Sequence, residues 1–471
     1  MNTTAHLTMT SIRSSRMWIF AAATMGLGWY IVDDWIGACA VGVLWLAWRT
    51  IRDDDGLPIL AMALTFQWVQ VTSGVWYHAL TGRPLATIAL SDYRPMVLIG
   101  LGCVAALTVG LAAGMGIIRR ANRNRVRTSV SSVPIGWTGL ITLYFIALSA
   151  QGTLVQFAYE LPDLTQAILT LRFVHLALLF LILRRLSRPI VQWHWIGLLM
   201  LFEVLLGITG FFAGYREPIV MAVIALFEIF NPRRMQHWVG VAAFGVLLIA
   251  ISLFWIGVRT EYRKEFDNET FAQSRSMQFD KMTQLSADWW KNSHSIYDDM
   301  DRLVDRMWVV YYPALAVSRV PSVLPHTDGA FVLAALQHVL SPRVFFPTKA
   351  ELKSDTEQNT SIAFGYAGEA YIDFGVPLMF VPVFLYGLVA GLAYQTLSTR
   401  LHHEELRSGL LAVIFWLALY LFERSWVKTI GLLGTLLVYL GGPALLLDYY
   451  LNRFDVRRRG DAFDRATEQW T

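Results

Sequence analysis

The amino-acid sequence predicts an all-α integral membrane protein with about 12 transmembrane helices and one large extracytoplasmic loop. Hydrophobic residues make up 55% of the 471 residues, and charged residues only 16%. Soluble domains carry about 25% charged residues. Apolar runs also recur along the chain, many of them close to the roughly 20 residues that cross a bilayer as a helix. This composition excludes disordered, collagen-like and disulfide-rich secreted proteins.

Twelve apolar runs each predict one helix. They cover residues 17–32, 35–48, 58–78, 95–118, 133–151, 164–183, 194–214, 217–230, 237–258, 377–395, 409–422 and 429–449. Arg13 and Arg16 precede the first run, as they would in a signal peptide. Because that run ends at Asp33 and Asp34 without a small-residue cleavage site, we interpret it as a retained helix.

The distribution of arginine between alternate connections predicts the orientation. One set of connections is basic, with arginines within residues 49–52, 119–127, 184–188, 233–234, 400–407 and 453–459, whereas the short connections of the other set carry few basic residues. Lys and Arg accumulate in cytoplasmic loops. Both termini are therefore predicted to be cytoplasmic. The net charge of +4 gives no indication of nucleic-acid binding.

Four segments follow from this topology. Residues 1–258 form an N-terminal bundle of about nine helices. Residues 259–376 form a large external loop, in which residues 300–310 and 330–340 have helical patterning. Residues 377–450 form about three further membrane helices, and 451–471 are a basic cytoplasmic tail.

Arginines at the outer starts of predicted helices suggest an anion site. Tyr93, Arg94 and Pro95 open one run, and Arg216, Glu217 and Pro218 open another. Helix N-termini favour anions, and a guanidinium group adds forked donors that suit phosphate oxygens. Further basic residues at this level are Arg259, Arg343, Arg424 and Lys428. Alternatively, each of these arginines is an interfacial anchor.

Arg172 and Glu203 lie deep inside apolar runs, and we interpret them as a structural ion pair between neighbouring helices. A proton-relay role is the alternative. No nucleophile elbow, Walker loop or zinc-binding spacing is present in the sequence. Asp298, Asp299 and Asp301 are interpreted as stabilising a helix start rather than as a cation site. We therefore predict no metal and no cofactor.

Two motifs near the end of the large loop carry a resemblance to a known family. Residues 341–349 read S-P-R-V-F-F-P-T-K, and residues 368–375 read G-E-A-Y-I-D-F-G ahead of a glycine-containing helix. With the G-Y-R-E-P segment at 214–218, they resemble the Wzy-type O-antigen polymerases, which are bacterial oligosaccharide repeat-unit polymerases. The Arg-x10-Gly loops of some of these enzymes have their nearest counterpart in Arg319 to Gly329, one residue short.

This resemblance implies a transferase of the bacterial cytoplasmic (inner) membrane that joins undecaprenyl-pyrophosphate-linked oligosaccharides on the outer face. Its partners would be that substrate, membrane lipid, a flippase and a chain-length regulator. Arg216 and Arg343 would stabilise the departing diphosphate, and Glu369 would be the general base for the acceptor hydroxyl. The alternative for Glu369 is a carboxylate at a helix start that the helix dipole stabilises. Glu217, His326 and His338 are weaker candidates for the base. The substrate-binding candidates are Arg94, Glu217, Arg259, Arg319, Lys349, Tyr371, Arg424 and Lys428.

Two other functions remain open from the sequence. An O-antigen ligase would use the same donor but pass the glycan to lipid A. A transporter or flippase of lipid-linked sugars would ordinarily show polar midplane residues and matching interrupted helices in two halves. The chain offers chiefly Arg172 and Glu203 at midplane and shows no evident half-to-half symmetry. These features favour the transferase.

Overall fold

The computed structural model describes residues 19–51, 57–83, 92–123, 135–161, 164–208, 216–230, 234–265, 275–291, 295–341 and 364–453. Over these residues the protein is helical, and no β-strand occurs among them. The helices up to the large loop are α1 (Ile19–Val32), α2 (Trp35–Thr50), α3 (Ile59–Thr81), α4 (Arg94–Ala121), α5 (Trp137–Glu160), α6 (Thr165–Leu171), α7 (Val174–Leu186), α8 (Trp193–Ile208), α9 (Arg216–Phe227) and α10 (Met235–Glu265).

The large loop contributes α11 (Arg275–Lys291), α12 (Ile296–Met307), α13 (Tyr311–Arg319), α14 (Ala330–Leu340) and α15 (Gly365–Phe374). The remaining helices are α16 (Phe380–Arg400), α17 (Glu404–Leu419) and α18 (Trp426–Leu436). A π-helical turn, Leu437–Gly441, continues α18, and this apolar helix reaches Arg453.

The prediction of an all-helical membrane protein is confirmed. Among the described residues, 7 helices are long and apolar enough to cross a membrane, with α6 and α7 counted together as Thr165–Leu186, and several shorter apolar helices accompany them. Each of the twelve apolar runs of the sequence contains a described helix. In the large loop, α14 matches the predicted segment 330–340, while α12 begins at Ile296 and ends at Met307, before Trp308.

Helices α4 and α16 pack closely against each other, and glycines form their contact surface. A Cβ atom on Gly110 would lie 2.2 Å from the carbonyl oxygen of Phe384, and one on Gly391 would lie 2.2 Å from that of Leu111. Only a hydrogen atom fits at such positions, so the two backbones touch directly. Small residues four apart produce this close packing in membrane helices, where burying apolar surface from lipid gains little.

One end of the bundle is tied together by ion pairs. Arg184, near the end of α7, contacts Glu228 after α9 at 3.1 Å and Glu404 at the start of α17 at 2.9 Å. Arg188 also pairs with Glu228. These connections belong to the basic set in the sequence, so the structure places three of them at the same end. Glu228, which the sequence gave no role, is the buried centre of this network.

The large loop docks on the opposite end of the bundle. The indole of Trp308 is buried against α3, where its N–H donates to the carbonyl of Val71 at 2.8 Å. A Cβ on Gly74 would lie 2.1 Å from the Trp308 ring, so only glycine accommodates the ring. At the end of α3, Arg83 donates to Asp301 of α12 at 2.7 Å. Asp301 therefore anchors the loop instead of stabilising a helix start.

Candidate functional site

The buried connection between two successive helices forms the centre of the candidate site. Helix α17 ends at Leu419 and α18 begins at Trp426, and the residues between them are not helical. The flanking Trp416, Phe422 and Trp426 are at most 3% exposed. Buried backbone N–H and C=O groups outside a helix need other hydrogen-bond partners. We call residues 420–425 the break segment.

Side chains from α3 and α16 satisfy the carbonyls that the end of α17 leaves unpaired. Gln67 donates to the carbonyl of Leu419, Gln70 donates to that of Tyr420 at 2.7 Å, and Tyr386 donates to that of Ala418 at 3.2 Å. The Gln70 side-chain oxygen also accepts the backbone N–H of Phe422 at 3.1 Å. A helix end has several such free carbonyls. By bonding these groups, the two glutamines fix the backbone conformation of the break segment.

The other side of the break segment is held by Glu369. Its carboxylate accepts the backbone N–H of Trp426 at 2.7 Å, at the start of α18. The side chain lies on α15 and is 8% exposed. A carboxylate at a helix N-terminus satisfies a free N–H and interacts favourably with the helix dipole. The sequence offered a helix-start role as the alternative for Glu369, but the helix it caps is α18, not its own.

Asp373, one turn further along α15, caps the start of α14. Its carboxylate accepts the backbone N–H groups of Phe331 and Val332 at 3.0 and 2.9 Å, and the hydroxyl of Thr327 at 2.6 Å. Glu369 and Asp373 are four residues apart and therefore lie on one face of α15. The G-E-x-Y-x-D-F-G motif thus forms a bracket that holds the starts of two helices.

A glycine begins α15, and another follows its last residue. Gly365 and Gly375 have φ angles of +73° and +62°, which disfavour any residue with a Cβ. A Cβ on Gly375 would also lie 2.8 Å from the ring of His326. The second glycine of the motif, Gly375, is thus explained by backbone geometry.

Burial raises the pKa of Glu369 to about 7, with the nearby Asp373 adding to the rise. The N–H of Trp426 and the positive charge of Lys428 oppose this shift. A carboxyl group with a pKa near neutral pH is present in both protonation states, which is the property that a general base requires.

Three arginines and one carboxylate gather beside the break segment. The carboxylate of Glu217, in the first turn of α9, interacts electrostatically with Arg216, Arg172 and Arg424. Arg424 itself lies with its guanidinium carbon 5.0 Å from the centre of the Tyr420 ring. It also donates to the carbonyl of Leu417. The sequence proposed Arg216, Glu217 and Arg424 for one site, and the structure brings them together.

Arg172 is the residue that the sequence assigned wrongly. The predicted ion pair with Glu203 is not formed, because Glu203 instead accepts the hydroxyl of Tyr144. The predicted helix 164–183 is interrupted by a turn at Arg172 and Phe173, between α6 and α7. Arg172 instead lies within electrostatic range of Glu217. Gln67 and Gln70 were also missed, although two glutamines three residues apart in an apolar helix were a visible signal.

The other predicted residues are spread over the structure. Arg94 pairs with Asp34 at 3.5 Å. Tyr371 donates to the carbonyl of Val320 at 3.0 Å and so fixes the end of α13. Arg319 and Lys428 are exposed, the latter in electrostatic range of Glu369.

Three predicted residues are not placed by the structure. Arg343 and Lys349 lie outside the described residues, and for Arg259 only the backbone, in α10, is described. His326 packs its ring edge-on against Tyr371, with the ring centres 5.9 Å apart. Over the described residues there is no group of three or more His, Cys, Asp or Glu side chains that could hold a metal ion.

A family model matches residues 96–402, more than half of the chain. The chain belongs to DUF8712, a domain of unknown function. The DUF8712 match includes Arg172, Arg216, Glu217 and Glu369, and it ends before Arg424 and α18. No curated protein and no solved structure matches the chain.

Proposed function

We propose that this DUF8712 protein is a glycosyltransferase of the bacterial cytoplasmic membrane that polymerises undecaprenyl-pyrophosphate-linked oligosaccharide repeat units on the outer membrane face. The motifs of the large loop suggest this class of enzyme. The proposal rests on a group of four residues beside the break segment, namely Arg172, Arg216, Glu217 and Arg424. We call these four residues the arginine cluster.

The charge of the arginine cluster suits a diphosphate. Three guanidinium groups face a single carboxylate, so the cluster carries a net positive charge. A diphosphate linked at both ends carries one negative charge on each phosphate. Guanidinium groups bind phosphate oxygens through paired N–H donors, and their fixed positions would stabilise the charge that develops on a departing diphosphate.

The proposed transfer has three parts. The acceptor sugar hydroxyl attacks the anomeric carbon of the donor, and a new glycosidic C–O bond forms. The bond between that carbon and the diphosphate oxygen breaks, and the electron pair leaves with undecaprenyl pyrophosphate. The hydroxyl proton passes to a general base, for which Glu369 has a suitable pKa of about 7. Glu369 holds the end of the break segment that follows Arg424.

The arrangement of buried charges favours a transferase over a transporter. A transporter of this kind would need polar groups at the membrane midplane. The sequence offered Arg172 and Glu203 for that role, but Arg172 joins the arginine cluster and Glu203 is bonded to Tyr144. The remaining charges of the cluster lie at helix ends, as expected for a site at the membrane surface.

Binding of undecaprenyl pyrophosphate, the proposed leaving group, tests the arginine cluster directly. We expect Arg216→Ala and Arg424→Ala in lipid nanodiscs each to weaken binding roughly 10- to 100-fold, because a hydrogen bond to a charged group contributes about 1.5–3 kcal/mol. Arg302→Ala is the matched control, since Arg302 lies on the same end of the molecule, 66% exposed and paired with Asp299. Equal binding by all three variants would contradict the proposal.

The glycan profile of a deletion strain then identifies the reaction. A polymerase predicts surface glycans capped at a single repeat unit, which the wild-type gene restores to long chains and the Arg216→Ala gene does not. Polymer that accumulates without reaching lipid A would indicate a ligase instead. Repeat units that accumulate on the cytoplasmic side would indicate a flippase.

A further inference from the structure

Helix α14, within the large loop, has an apolar surface that the protein does not cover. Leu333, Leu336 and Leu340 are 56%, 41% and 76% exposed, although they belong to a helix whose eleven residues include no formal charge. The other side of the helix is packed, with Ala335 fully buried. An exposed helix face of this kind in the water-facing part of a loop would be costly.

The start of α14 lies beside the start of a membrane helix. Asp373 caps α14 and Glu369 caps α18, and the two carboxylates are one turn apart on α15. Residues four apart on a helix lie roughly 6 Å from one another along its axis. The two helix starts are therefore neighbours, at a spacing that suits packed helices.

The two helices also run in the same direction. Near the end of α14, Val339 packs on Gly431 and Gly434 of α18, where a Cβ on either glycine would lie within 3.7 Å of the valine methyl groups. The helices therefore stay in contact along their length. Because α18 is the first part of the apolar helix Trp426–Arg453, α14 follows it away from α15 and into the membrane.

We propose that Ala330–Leu340 is a re-entrant half-helix, whose exposed leucines contact the acyl chains of the leaflet that α18 enters first. Eleven residues span about 16 Å, roughly half of the 30 Å hydrocarbon core. The chain is back at α15 by Phe364, so α14 enters the membrane without crossing it. Val438, one turn beyond Gly434 on the helix that α14 follows, is likewise 63% exposed.

Site-specific fluorescence measures this insertion. The environment-sensitive dye NBD is attached at Leu336→Cys or Leu340→Cys, after the native Cys39 and Cys103 are replaced by alanine. Ser322→Cys, in the exposed stretch after α13, is the matched control. In nanodiscs we expect blue-shifted emission at both leucine positions. Lipids brominated on their acyl chains should quench these positions at least twofold more than position 322, and aqueous iodide should quench position 322 more.

Strong iodide quenching at positions 336 and 340 would overturn the proposal. So would resistance to both quenchers combined with cross-links between copies, because that result would make the face a protein interface. Each labelled variant must elute as a single peak with the wild-type volume, and Leu333→Cys replaces any variant that does not. The measurement uses no glycan substrate. The proposal that α14 enters the membrane can therefore be disproved without affecting the proposed role of the arginine cluster, and the reverse also holds.

Discussion

At the level of single residues, Glu369 shows how a motif can be found in the sequence while its structural role is missed. The G-E-x-Y-x-x-F-G pattern drew attention to this carboxylate. The motif gives no sign of its partner, because Trp426 lies 57 residues away and the contact is to a backbone N–H. Asp373 was not selected at all, although it makes the equivalent contact with α14. Helix caps contributed by residues far away in the chain leave no local pattern in the sequence.

Two substitutions at Glu369 separate its structural role from the proposed chemical role. Glu369→Gln keeps an oxygen that can accept the Trp426 N–H, so we expect nearly wild-type stability but a transfer rate lower by roughly 10²- to 10⁴-fold, the usual contribution of a general base. Glu369→Ala also removes the cap, which costs about 1 kcal/mol. Thermal unfolding in detergent and single-turnover transfer measure the two effects. An unchanged rate in Glu369→Gln would move the base role to Glu217.

The pH dependence gives the same experiment a second readout. Burial raises the pKa of Glu369 to about 7, so folding favours the protonated form. The stability that this provides is fully present below the usual carboxyl pKa and is lost as the pH rises through about 7. Transfer by a general base should instead increase over the same upper range. Both pH dependences should disappear in Glu369→Gln, and a persistent pH-dependent rate would indicate another base.

At the level of helices, hydropathy located the apolar elements but not their breaks. The sequence predicted one continuous helix over 164–183, and the structure contains a turn at Arg172 and Phe173. No proline or glycine marks that turn, so there was no local signal. The π-helical turn after α18 was also not predicted. These irregularities depend on neighbouring helices, which a hydrophobicity pattern does not describe.

The glycine contact between α4 and α16 gives a stability prediction for a whole helix pair. In Gly114→Ala the new Cβ would lie 2.2 Å from the carbonyl oxygen of Leu388, so the helices must separate. We expect a loss of about 1–3 kcal/mol, the usual cost of overpacking. Gly116→Ala is the matched control on the same helix, because nothing lies within 4 Å of its new Cβ. Similar unfolding temperatures for the two variants would show that the close approach does not contribute to stability.

At the level of the whole molecule, the relative sides of the connections were predicted better than the site. The ion pairs of Arg184 join the ends of α7 and α9 to the start of α17, and these three connections all belong to the predicted cytoplasmic set. Arg83 joins the predicted outer end of α3 to the large loop. Alternation of sides follows from counting helices. The docking of Trp308 on Gly74 required the folded structure.

The absolute orientation is the last prediction, and it rests on the bias of arginine toward cytoplasmic connections. In a chain whose native Cys39 and Cys103 are replaced, we expect Ser322→Cys to react with a membrane-impermeant maleimide in intact cells that have a permeable outer membrane. Arg123→Cys and Arg453→Cys, exposed at the ends of α4 and of the last helix, should react only after lysis. Labelling with the reverse pattern would place the large loop in the cytoplasm. The arginine cluster, which lies at the same end as that loop, would then be unable to meet substrates on the outer face.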